Sequence, residues 1–183
     1  MVVEKEGRKG DWIQLLSRKP FYPLDPRSAE IEIEEIAWSL SMQCRYTGHI
    51  KFFYSIAEHS VLIAKSVPRE FALWGLLHDA SEAYLHDVPK PLKAYLPEYR
   101  QWEDQLQQCI AERFNLPWPI PAIVKDQDLN ILQNERASVL NPPLKEWNYG
   151  GEAIPGLTIH GWSQQQAYAE FMILYEKITH DHH

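Results

Sequence analysis

His78 and Asp79 stand side by side in Phe71-Ala-Leu-Trp-Gly-Leu-Leu-His-Asp-Ala-Ser-Glu-Ala-Tyr84, a segment that is apolar up to the point where they occur. Helical spacing aligns Phe71, Trp74, Gly75, His78 and Glu82 on one stripe, which sets the ionisable pair on a largely buried helix. An unpaired charge there costs several kcal/mol, and a shared metal ion would compensate it. An isolated His-Asp pair would read more simply as a core histidine beside a surface aspartate, but the pattern recurs. Phe52, Ile56, His59 and Ile63 form a second apolar stripe with a histidine in it. Val124, Asp128, Ile131 and Glu135 form a third, while Asp126 falls with Asn130 and Gln133 on the polar side, which favours Asp128 as the inward carboxylate. His59, His78, Asp79 and Asp128 would together make a shell of two imidazoles and two carboxylates. Such mixed ligands suit one divalent ion, Mn, Co, Zn, Mg, Ni or Fe, with positions left for water and substrate.

The elements that must position these groups are helical. Periodicity predicts helices at about 32–42, 52–66, 69–85, 97–114, 121–140 and 163–178, and an irregular stretch over residues 1–30, where Lys19-Pro20 and Asp25-Pro26 break any helix. Between the last two helices, Asn141-Pro-Pro-Leu and Trp147-Asn-Tyr-Gly-Gly-Glu152 form a long loop, a surface excursion with the length of a lid or an oligomer contact. The expected fold is all-α.

The ordered set Gln43-Cys-Arg-Tyr-Thr-Gly-His49, Tyr54-Ser-Ile-Ala-Glu-His-Ser60, Leu76-Leu-His-Asp-Ala-Ser-Glu-Ala-Tyr84, Asp87-Val-Pro-Lys-Pro-Leu-Lys93 and Val124-Lys-Asp-Gln-Asp128 resembles the HD-domain superfamily of metal-dependent phosphohydrolases. The resemblance spans about residues 30–140 and is closest to its small nucleotide phosphohydrolases, the 5'-deoxynucleotidases and the phage-type dATP triphosphohydrolases. It implies a compact HD-domain helical bundle, a single domain over 1–183 with the loop and helix of 141–183 packed on it. It also implies hydrolysis of a nucleotide at the 5' phosphoester, releasing a (deoxy)nucleoside and phosphate or triphosphate. Gln43–His49 and the run Tyr84–Lys93 favour deoxynucleoside triphosphates, with dATP the leading candidate. A different phosphoester, such as a cyclic dinucleotide or an alarmone, or a nucleotide sensor without turnover, are the competing readings.

Under the resemblance, Glu82, one turn after His78, positions or deprotonates the attacking water, and Asp87 protonates the leaving oxygen or binds the sugar. Arg45, upstream of His59, would grip two phosphate oxygens with its planar fork. Lys90, Lys93 and Lys125 are candidates for a longer phosphate tail, and His49 for a phosphate or leaving-group contact. Trp38 or Ile36 would stack on the base, although Ile33, Ile36, Ala37 and Leu40 read equally as the core face of an amphipathic helix.

Composition fits a compact enzyme: 183 residues, 45% hydrophobic, with seven tryptophans. A net charge of -7 and the lack of a basic stripe disfavour a polymeric nucleic-acid partner but are compatible with a small anion. No apolar run of membrane-spanning length occurs, so a cytoplasmic protein is expected, working as a homo-oligomer if it follows the resemblance. Cys44 and Cys109 are too few for a disulfide framework and read as reduced thiols. His180-Asp-His-His183 reads as an adventitious metal binder at a frayed end.

Overall fold

The computed structural model describes residues 4–180 apart from Glu6 and Asn148, so most of the terminal histidine cluster lies outside the described residues. Among the described residues eight α-helices carry the fold: α1 Ile33–Met42, α2 Ile56–Ser66, α3 Ala72–Leu77, α4 Glu82–Leu85, α5 Lys90–Lys93, α6 Pro97–Arg113, α7 Ala122–Ser138 and α8 Gln164–His180. The first 30 residues are not wholly irregular. Two short antiparallel hairpins, β1 Glu4–Lys5 with β2 Arg8–Lys9 and β3 Ile13–Gln14 with β4 Pro20–Phe21, precede the helices, so the fold is largely helical rather than all-α. Their turns use Gly7 and Arg18 at positive φ, a local device that hydrophobic periodicity does not register.

At the centre lies α2, buried continuously from Ile56 to Ala64, with α1, α3, α7 and α8 packed around it. A helix buried on all sides must sit inside a bundle. Ser55 caps it by accepting from the Glu58 N–H at 3.0 Å, which is why the helix starts at 56 and not at 52. Ahead of the cap the chain is extended and pairs with 43–45: Arg45 N–H donates to Tyr54 O at 2.9 Å and Ile56 N–H to Gln43 O at 3.2 Å. The Glu58 carboxylate is fully buried and accepts the backbone N–H groups of His160, Gly161 and Trp162 at 2.7–3.1 Å. Those three bonds offset its desolvation and moor the end of the 141–161 loop.

The stretch expected as one helix over 69–85 is interrupted. A 3-10 turn at Arg69–Phe71 leads into α3, which stops at Leu77; residues 78–81 form turns, and α4 follows. The loop after α7 does not stand away from the body. Asn130 accepts the Glu152 N–H at 3.1 Å, and Asn134 exchanges two hydrogen bonds with Ile154 at 2.8 and 3.0 Å, so two asparagines one turn apart hold it along α7. Among the described residues no helix is long and apolar enough to cross a membrane. Both cysteines are free thiols.

Candidate metal centre

The two histidines meet because α2 and α3 approach unusually closely. A Cβ on Gly75 would lie 2.7 Å from the Ala64 Cα, so glycine alone permits this contact. His59 projects from the middle of α2 and is fully buried; His78 caps the end of α3 one turn after Gly75. Their Nε2 atoms stand 3.2 Å apart. Each Nδ1 faces a hydrogen-bond acceptor: Glu135 Oε1 at 2.9 Å for His59, and the Gly75 carbonyl at 2.8 Å for His78. Acceptors at both Nδ1 positions place the ring protons there in the neutral form, leaving two Nε2 lone pairs aimed at each other. Two facing lone pairs call for a cation between them.

Carboxylates complete the cluster. Asp128 Oδ1 lies 3.1 Å from His59 Nε2 and 3.8 Å from His78 Nε2, and Asp79 Oδ2 lies 3.2 Å from His78 Nε2 and 3.6 Å from His59 Nε2. Donors bound to one ion at about 2.0–2.2 Å stand roughly 3.0–3.5 Å from one another, a range that the separations of 3.1 and 3.2 Å meet and those of 3.6 and 3.8 Å slightly exceed. His59, His78 and Asp128 by themselves offer three ligand atoms within 4.8 Å of one another. Asp126 is exposed on the other side of α7, as its place in the helical repeat requires. The imidazoles are closed off, whereas the Asp79 and Asp128 side chains are 21% and 45% exposed, so the centre opens on its carboxylate side.

Electrostatics reports the same crowding. Burial opposes a charge on His78, but Asp79 and Asp128 outweigh it and hold its pKa well above the ordinary value. Burial likewise opposes ionisation of the two aspartates, and the neighbouring histidines overcome it, bringing Asp79 down to about 2 and Asp128 well below its usual range.

Sequence reasoning placed Glu135 on the inner face of α7 without giving it a role, yet it organises the site. Fully buried, it accepts from His59 Nδ1, from the Tyr54 hydroxyl at 3.0 Å, from the Tyr46 hydroxyl, and from Arg45 Nη2 at 3.2 Å, with Arg45 Nε in ion-pair contact at 3.1 Å. Burial would raise its pKa, but Arg45 and His59 bring it down to about 2. A carboxylate behind a ligand histidine fixes the tautomer and the ring plane. Arg45 is thus at the centre, but its fork is engaged by Glu135, with Nη1 turned to Asp79 at 3.8 Å rather than held open for a phosphate. The loop carrying it puts Tyr46 and Thr47 in left-handed conformations, a local strain that the Tyr46–Glu135 bond helps to hold.

Glu82 lies where expected, one turn after His78 and 6% exposed. Oε1 is 3.7 Å from Lys93 Nζ, and Oε2 is buried with no hydrogen-bond partner among the described residues. Burial first, then Asp79 and Asp87, pushes its pKa well above the usual carboxylate range. Asp87 is half-buried just after α4.

A cavity of about 680 Å³ begins at His78, Asp79 and Glu82 and runs along α6 to Trp118 and Ile120, with Lys93 and Lys125 in its wall. Neither base-stacking candidate lines it. Ile36 is fully buried in the core and has no surface to offer, and Trp38 packs edge-on against Tyr168 and lines a second cavity with Ile13 and Met42. Lys93 is tied to Glu103 at 2.6 Å, Lys90 sits over the Tyr149 ring, and His49 is exposed.

No protein-family model matches the chain. It is similar to Uncharacterized protein YfdR of Escherichia coli, with 44% identity over 125 residues, which cover 68% of this chain and 70% of YfdR. It is also similar to an uncharacterized protein of Rhodobacter capsulatus, 36% identical over 127 residues, covering 64% of this chain and 65% of that protein. Identity of this level over more than two thirds of YfdR places the chain in one family with it: the protein belongs to the YfdR family.

Proposed function

We propose that the chain is a metal-dependent phosphohydrolase of the HD-domain type, cleaving (deoxy)nucleotides at the 5' phosphoester. The observation that carries this reading is the pair of buried Nε2 atoms 3.2 Å apart, each oriented through its Nδ1 and flanked by Asp79 and Asp128. A divalent ion held there would polarise a phosphate oxygen and lower the pKa of a water. The protein's own groups supply the rest. Glu82, buried and with one oxygen unpartnered, accepts the proton of the attacking water. Asp87, just after α4, binds the sugar or relays the proton taken up by Glu82 to the departing 5' oxygen. The cavity from His78 to Trp118 receives the nucleoside, and Trp118, 39% exposed, gives the base its aromatic wall.

The placement of the cations bears on the substrate. Lys90 lies over an aromatic ring, Lys93 is held by Glu103, and the cavity adds Glu103 and Asp104, leaving Lys125 at the rim. That arrangement favours a short phosphate, a nucleoside monophosphate, over the triphosphate that the sequence suggested.

Phosphate release from a panel of dNMPs, dNTPs, a cyclic dinucleotide and an alarmone tests the reading, with manganese or cobalt added to stripped protein. Glu82→Gln is expected to lower kcat about 10²–10⁴-fold while the protein still binds one ion per chain. Trp118→Ala is expected to raise KM roughly 5–100-fold at nearly unchanged kcat, the value of a lost base–aromatic stack, and steady-state kinetics separates the two effects.

A further inference from the structure

The geometry points to Gln107 as the residue that positions the His78–Asp79 ligand pair. This rests on the metal-centre reading and adds to it a group from α6 that touches no ligand atom. Gln107 is 3% exposed, and its amide enters the backbone of the turn between α3 and α4. Nε2 donates to the Leu77 carbonyl at 2.7 Å, and Oε1 accepts the Ser81 N–H at 3.0 Å. Only one orientation of the amide satisfies both partners.

Leu77 O and Ser81 N are the pair that would bond directly if α3 ran on as a regular helix. The amide stands between them, so the ladder opens where the ligands are carried: His78 follows Leu77, and Asp79 comes two residues before Ser81. Around the insertion the backbone bonds shorten to the i→i−3 type, Ala80 N–H to Leu77 O at 3.1 Å and Glu82 N–H to Asp79 O at 3.0 Å. A side chain inserted into a helical ladder is one of the few causes of a sharp bend. Here the bend sets where His78 and Asp79 leave the backbone, and it also carries Glu82 at the start of α4. Neighbouring residues of a straight helix diverge by about 100°, so the convergence of His78 Nε2 and Asp79 Oδ2 to 3.2 Å depends on how this turn is held. Because Gln107 also lines the cavity, α6 links the wall of the proposed nucleoside site to the ligand turn.

Visible absorption and affinity of cobalt(II), titrated into stripped full-length protein, test the assignment without reference to turnover. Gln107→Leu removes both bonds, and Gln107→Glu keeps an acceptor for Ser81 but offers the Leu77 carbonyl no donor at neutral pH. Cobalt affinity is expected to fall about 10-fold or more in Gln107→Leu, with an altered ligand-field band, and by less in Gln107→Glu. Ser39→Ala removes another bond to this region, Ser39 Oγ to Ala83 O at 2.7 Å, and is expected to lower the thermal midpoint while leaving the cobalt spectrum unchanged. If Gln107→Leu does not fold, Gln107→Glu decides on the same readout. Folded Gln107 variants with wild-type affinity and spectrum would overturn the assignment alone. A wild-type chain that binds no cobalt would overturn the metal centre, and the role of Gln107 with it.

Discussion

Replacing Glu135 with alanine is expected to destabilise the protein by about 3–5 kcal/mol, the usual cost of breaking a buried ion pair from one side. Glu135 is fully buried, and its loss strands Arg45, 12% exposed at the side chain, together with the Tyr54 hydroxyl and the His59 Nδ1–H. Among the described residues only Arg45 keeps an acidic neighbour, Asp79 at 3.8 Å, and each unsatisfied donor adds to the loss. Denaturant unfolding at neutral pH measures the effect; a loss below about 1 kcal/mol would mean that Arg45 and His59 do not depend on this residue. Acid stability gives a second test. The folded-state pKa of Glu135 is about 2, below the roughly 4.3 of an unfolded glutamate. A depressed carboxylate stabilises the fold above the unfolded pKa, and that contribution, about 3 kcal/mol, is lost as pH falls from about 5 towards 2. Glu135→Ala should therefore flatten the pH dependence of stability in this window, and an unchanged slope would speak against the network.

The second large effect is expected at Asp79. Asp79→Ala should cut metal-dependent turnover by about 10³-fold or more, roughly 4 kcal/mol of transition-state stabilisation, because it would remove one of the four proposed ligands of the centre. Its Oδ2 approaches both ligand nitrogens, at 3.2 and 3.6 Å, and Arg45 Nη1 at 3.8 Å. As the side chain is 21% exposed and makes no core contact of the kind Glu135 makes, the variant should fold. The measurement is kcat/KM at saturating manganese, with circular dichroism as the control for folding. Wild-type kcat/KM in a folded Asp79→Ala protein would remove this residue from the centre.

The clustering of His59, His78 and Asp128 was legible in the sequence because each sits on its own short apolar stripe. His59 in 52–63, His78 in 71–82 and Asp128 in 124–135 each carry a helical repeat that fixes which way the side chain faces. The same repeat separated Asp128 from Asp126. What tunes the ligands was not legible, because it depends on pairs far apart in the chain. Glu135 meets His59 across 76 residues and Tyr46 across 89, and Gln107 meets Leu77 across 30. Within its own segment Gln107 is one of several glutamines of a polar helix, and nothing local marks it as buried. For the same reason the break after Leu77 escaped periodicity: its cause lies in α6, and the apolar stripe runs through it undisturbed. Ile36 and Trp38, expected against a base, are placed by a local repeat instead. They lie two positions apart on α1, which puts Ile36 in the core and Trp38 against Tyr168, in a second cavity that meets the first at Glu82.

The central claim, a single metal centre that hydrolyses the 5' phosphoester of a nucleotide, is tested most directly by product chromatography. Stripped protein is incubated with each common dNMP and dNTP, with and without manganese or cobalt. The account predicts that a deoxynucleoside forms only when metal is present, with monophosphates the better substrates and the product absent for Asp79→Ala. Intact nucleotides after incubation with protein that carries one bound ion per chain would contradict it.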